Sequence, residues 1–193
     1  MHASHAATTA VTRTLDEQRE EYGRRRFLAM PLAGATAWTA VGVAGLFLRP
    51  ELAALALFVC TGFIVYLGMF LSHFTGERFL DRNKPKNAFD GLFFHTVGMS
   101  LLVYALAIPF YMTEVTSLPL GVGVLTGLMW LPLSWVIRHP SGVFHAVVRT
   151  VACVALWFAL PEHRFVAIPF AIVAVYAVTI VWLEARWRAL PRG

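Results

Sequence analysis

In the segment GVFHAVVRTVACVALWF, Gly142 to Phe158, one arginine interrupts a run otherwise suited to lipid. His145, Arg149 and Cys153 recur at i, i+4 and i+8, so on a helix they share one face. Counted from Gly142 at about 1.5 Å per residue, Arg149 lies roughly 10 Å inside the apolar layer. A guanidinium at such depth costs about 2.5–3.5 kcal/mol on insertion scales unless water or partners receive it. Two further histidines fall in the same layer. His95 follows Asp90 by about one turn of the third apolar run, and His73 closes the second run in LSHF. Three imidazoles and a guanidinium, with no carboxylate deeper than Asp90, make a locally positive site. That chemistry suits a phosphate-bearing headgroup, a small carboxylate or an inorganic anion, so Arg149, His145, His95 and His73 are the candidate ligand-binding residues.

Other chemistry fits less well. A histidine in the cluster could couple binding to protons, but proton carriers usually hold a buried Asp or Glu, which these runs lack. Zinc or haem would use several histidines. No HExxH-like spacing is present and Arg149 would repel the cation, so no metal and no cofactor are expected. GxSxG, a Walker loop, CxxC and paired intramembrane carboxylates are also missing, so no catalytic residue is assigned. The structural alternative for Arg149 is a side chain that snorkels back to the headgroups.

The elements that must position these residues follow from composition. The chain has 193 residues, 58% hydrophobic and 14% charged, against about 45–50% and about 25% in ordinary soluble domains. Six runs approach the roughly 20 apolar residues that cross a bilayer: 27–48, 52–72, 91–112, 118–137, 143–160 and 165–183. Lipid cannot satisfy open backbone groups, so runs of this length must be helices. Thirteen of the 16 Lys and Arg residues lie on one side of this threading and two, Arg49 and Arg164, on the other. The bias places both termini in the cytoplasm, which six spans require. The expected fold is therefore all-α, an integral membrane bundle of six transmembrane helices. Residues 1–26 would form a cytoplasmic tail, 27–183 the membrane domain and 184–193 a second tail. The net charge of +5 belongs to this topology and not to a nucleic-acid face.

Finer expectations follow. Thr14 and Glu17 have the spacing of a capping box at the start of a short charged helix. GRRRFLAM resembles an export signal, but the apolar run behind it is too long for a signal core. His2 and His5 read as part of a polar tail. Gly123 and Gly127 form GxxxG, which packs helices within one chain or between two copies, so a homo-oligomer stays open. Pro109, Pro132 and Pro169 are expected to interrupt three spans. Pro132 matters most, because its missing N–H frees the Leu128 carbonyl to bind a ligand. VYALAIPF in the third span echoes VYAVTIVW in the sixth, a short hint of an internal repeat.

NKPKNAFDGLFFH and LPLGVGVLTGLMWLPLSWVIRHPSG together resemble a bacterial family of small multi-span membrane proteins of unknown function, over roughly residues 80–142. In that family a histidine often stands where this chain has Met129. The resemblance implies the fold class and nothing further; the expected address, from composition and charge bias, is a multi-pass one in a bacterial inner membrane. Three functions remain open on sequence. The first is a small transporter or channel binding an anion or anionic lipid headgroup. The second is a lipid-modifying membrane enzyme with a histidine acid or base. The third is a non-catalytic structural or partner-binding protein. The expected partners are membrane lipids, a small anion and a second copy, with no nucleic acid.

Overall fold

A computed structural model describes residues 13–77 and 87–191. The tail carrying His2 and His5, the basic loop with Arg78, Arg82, Lys84 and Lys86, and Arg192 lie outside the described residues. Nine α-helices are described: α1 (Leu15–Gly23), α2 (Ala29–Phe47), α3 (Pro50–Gly62), α4 (Ile64–Thr75), α5 (Ala88–Thr113), α6 (Leu118–Leu128), α7 (Trp130–Ile137), α8 (Ser141–Ala159) and α9 (Arg164–Ala189). Five helical segments are long and apolar enough to cross a membrane, and a sixth if α3 and α4, bent by 48° to each other, count as one span. Their outer surface carries a belt of exposed Phe, Leu, Val and Trp, among them Phe70, Phe74, Leu102, Phe110, Trp135 and Val181. An apolar surface this continuous needs lipid or a partner to cover it.

α2, α8 and α9 form the centre of the bundle, with α6 against α8 and α9. Small residues let these helices approach. A Cβ at Gly34 of α2 would overlap the Tyr176 ring of α9, and one at Gly142 of α8 would overlap the Trp130 carbonyl of α7. The GxxxG glycines also pack inside the chain. Gly123 faces Cys153 and Ile172, and Gly127 faces Arg149. Trp38, Val41, Leu57, Leu118, Val122, Ile168 and Ile172 fill the core at mid-depth, each at most 1% exposed.

The proline expectations need correction. Pro109 and Pro169 lie inside unbroken helices α5 and α9. A membrane helix can absorb the lost bond when neighbours cover the freed carbonyl. At Pro169 that carbonyl is Phe165, and the Gly45 backbone of α2 presses against it. In the fourth span the helix does break, at Met129, three residues before Pro132. A break that no proline marks bends the second span at Phe63.

One end of the bundle gathers the arginines. α1 begins with the expected capping box: Glu17 N–H donates to Thr14 Oγ1 at 3.2 Å, and Thr14 N–H donates to the Glu17 carboxylate at 2.7 Å. Several bonds strap α1 across that end. Arg19 donates to the Val136 and Trp135 carbonyls, left open at the end of α7. Asn87, the N-cap of α5, donates to the Gln18 carbonyl. Glu77, just past α4, accepts from the Leu28 and Ala29 amides at 2.7 and 2.9 Å. A carboxylate at the N-terminus of α2 meets both the orphan donors and the positive end of the helix dipole.

Candidate functional site

α8 is amphipathic in an unusual sense. Its inner stripe is Ser141, His145, Arg149 and Cys153, all buried. Arg149 is 1% exposed and His145 0%, so the snorkelling alternative for Arg149 does not hold. Arg149 Nη2 donates to Thr126 Oγ1 of α6 at 2.8 Å. Its Nη1 reaches His145 Nε2 at 3.3 Å and the Tyr176 hydroxyl of α9 at 3.4 Å. The guanidinium carbon lies 5.2 Å from the Trp38 ring centre and 5.6 Å from that of Tyr176, within the range of a cation–π attraction. The stem fits because position 127 has no side chain: a Cβ there would meet Arg149 Cδ at 3.1 Å.

The hydrogens in this network can be assigned. Thr179 Oγ1 donates to the Val175 carbonyl at 2.8 Å, so it can only accept from His145 Nδ1, 3.0 Å away. Arginine donates and never accepts. His145 therefore carries its hydrogen on Nδ1 and accepts from Arg149 at Nε2, and it stacks on Trp130 with ring centres 4.2 Å apart. Both ring nitrogens face protein partners, so His145 orients Arg149 and presents neither nitrogen to an open site. Thr126 has no hydrogen left to give, since it donates to the Val122 carbonyl while accepting from Arg149.

Every partner of Arg149 among the described residues is neutral, and its Nε has none. α8 contains no Asp or Glu. The charge is hydrogen-bonded and, among the described residues, left without a counter-charge.

Beside this network lies a cavity of about 480 Å³. Its deep wall includes Trp38, Thr126, Trp130 and Tyr176, the groups that surround Arg149. Met30, Val65, Phe93, Val97 and Leu133 line its middle, and Arg24, Arg25, Arg26, Glu77 and Asp90 its mouth. Pro132 lines it as well. The side walls are α4 and α5, which share no packed interface among the described residues. At the mouth, Arg25 pairs with Asp90 and Arg26 pairs with Glu184 at 2.8 Å. Burial, opposed by the nearby Arg25, pushes the Tyr22 phenol up to about 12, so it stays protonated at neutral pH.

His95 and His73 occupy the layer expected of them, but on outward faces. Each is exposed, its Nδ1 beside its own helix's carbonyls: Gly91 at 2.7 Å for His95, Met69 at 3.0 Å for His73. Neither lines the cavity. The layer expected from sequence thus reduces to Arg149 with His145. Tyr176, Thr126, Thr179, Trp38 and Trp130 complete it. Their signal was present: Thr126 is the one hydroxyl of α6, and Tyr176 and Thr179 are the hydroxyls of the apolar stretch of α9. Among the described residues, no three His, Cys, Asp or Glu side chains come together to hold a metal ion.

An all-helical bundle with an apolar belt and an arginine enclosed between its spans is a multi-span membrane protein in class. The chain belongs to a family of unknown function, DUF7010, whose pattern matches residues 15–186. That match reaches well past residues 80–142, on which the resemblance to a multi-span family rested. No curated protein and no solved structure is similar to the chain.

Proposed function

We propose that the protein is a membrane-embedded binding protein whose cavity takes one amphiphile bearing an acidic group, with Arg149 setting the preference for negative charge. The observation that carries this reading is the uncompensated guanidinium behind the cavity's deep wall. A unit charge about 6 Å away contributes roughly 3 kcal/mol at an effective dielectric constant of about 20. The mouth offers less selectivity, since Arg25 and Arg26 already hold carboxylates and Arg24 is exposed to screening solvent. The volume lies toward the lower end of the roughly 300–1,000 Å³ of small-molecule pockets. The gap between α4 and α5 gives a lipid chain a sideways path. Binding suits the structure better than passage. A second hollow of about 170 Å³ lies at the opposite end, beside Gly45, Arg164 and Phe165, and the Val41, Ile168 and Ile172 core closes the layer between the two.

Mass spectrometry of lipid extracts from purified protein tests this. Wild type should retain acidic amphiphiles in excess over the host membrane. Arg149→Gln should lose that enrichment, and Arg149→Lys should keep part of it. A wild-type extract that mirrors the bulk membrane would sink the reading. A second reading, in which Arg149 only staples helices, is favoured by its bonds to α6 and α9. It expects Arg149→Gln to lower thermal stability with no change in retained lipid.

A further inference from the structure

The proposed ligand must meet some atom of the protein directly, and Arg149 is not that atom, because Trp38, Thr126 and Tyr176 stand between it and the cavity. The groups at the deep wall differ in what they have left to give. Thr126 has spent its hydrogen on the Val122 carbonyl, and accepts from Arg149, so it has none to donate to an acid. On the facing side, Thr61 Oγ1 donates to the Leu57 carbonyl, so the Tyr104 hydroxyl must donate to Thr61, and its hydrogen is spent too. Tyr176 is different. Its oxygen accepts from Arg149 Nη1, its ring is held edge-on by His145 and Trp130, and its own hydrogen meets no acceptor among the described residues. The residue is 6% exposed and lines the cavity. A cation bonded to a hydroxyl oxygen polarises the O–H and strengthens it as a donor.

We propose that the Tyr176 hydroxyl, oriented and polarised by Arg149, donates directly to an oxygen of the ligand's acid, making Tyr176 the contact residue and Arg149 its positioning and charge-supplying partner. This rests on the reading that an acidic amphiphile occupies the cavity. A hydrogen bond to a charged acceptor is about twice as strong as one to a neutral acceptor, so Tyr176 should separate acids from neutral amphiphiles of equal chain length. The acid is a carboxylate or a phosphate monoester on a single chain, and the two differ only in headgroup.

The test uses full-length protein in nanodiscs of zwitterionic lipid, titrated with palmitate, a single-chain lysophosphatidate and hexadecanol as the neutral reference. Wild type should prefer the acids to hexadecanol by tenfold or more. Whichever acid binds more tightly identifies the headgroup. Tyr176→Phe keeps the ring packing and should reduce the acid-to-alcohol ratio about tenfold while hexadecanol binding changes little. Equal binding of acid and alcohol by wild type would remove the underlying reading and this contact with it. Acid preference that survives in Tyr176→Phe would overturn the contact alone. Should Tyr176→Phe not fold, the infrared carboxylate band of carbon-13 palmitate on wild type decides: a band displaced from its position in protein-free nanodiscs is expected, and a coincident band overturns the proposal.

Discussion

Arg26 and Arg149 are both held by hydrogen bonds and an aromatic ring, yet they differ in what answers the charge. Arg26 forks onto Glu184 at 2.8 and 3.0 Å, gives a third bond to the Thr75 carbonyl, and lies 4.8 Å from the Trp187 ring centre. Arg149 likewise bonds to neighbouring helices and lies over Trp38. The difference is the carboxylate. At the bundle's end the hydrogen bonds and the charge are satisfied together, and the bond to Glu184 raises the Arg26 pKa above its ordinary value. Inside, both terminal nitrogens are bonded to neutral groups, Nε has no partner among the described residues, and the charge is left over. Hydrogen bonds to neutral groups are therefore not the same as a neutralised cation, and of the two arginines the inner one keeps its charge.

Exchanging the properties of the two sites should break this comparison. Thr126→Asp would place a carboxylate where Arg149 Nη2 now meets a hydroxyl at 2.8 Å. Acid binding should fall by about a hundredfold, the worth of a unit charge about 6 Å away at an effective dielectric constant of about 20. Titration with palmitate reads it, and unchanged affinity would refute the claim that Arg149's charge matters. Next comes the space the guanidinium occupies. Gly127→Val would press on Arg149 Cδ, and overpacking of this kind costs about 2 kcal/mol, visible as a lowered unfolding midpoint in detergent.

At the outer site the same kind of surgery should do little. Glu184→Gln removes the partner of a cation whose side chain is 27% exposed, a loss of about 1 kcal/mol or less, with acid binding unaltered. A change in acid preference there would erase the contrast. The smallest effect concerns pH. Burial holds the His139 imidazole below its usual range, with the Arg186 charge adding to the shift, and Ser141 N–H donates to its Nδ1. The folded state thus takes up a proton less readily than the unfolded one. Stability should be full above pH about 6.5 and decline as the pH falls from there toward the depressed folded value. His139→Asn should flatten that decline in thermal melts.

The helices were readable because span length and the absence of water dictate them. The apolar run at 27–48, which contains α2, the GxxxG packing and the His145–Arg149 pair all follow from spacing along a single chain. What spacing could not supply was rotation. His95 and His145 share a layer, yet α5 turns His95 outward while α8 turns His145 in. The same ignorance hid Tyr176, whose approach to Arg149 depends on the fit of α9 against α8 and α2. The bend at Phe63 has no proline to announce it, whereas Pro169 announces a break that α9 does not make.

Positions 127 and 149 act as mould and casting. The long basic side chain lies closely against a helix that presents no side chain there. Among kindred proteins, the two should evolve in lockstep: wherever a bulkier residue fills the notch at 127, the arginine should have vanished, and with it the proposed preference for acids.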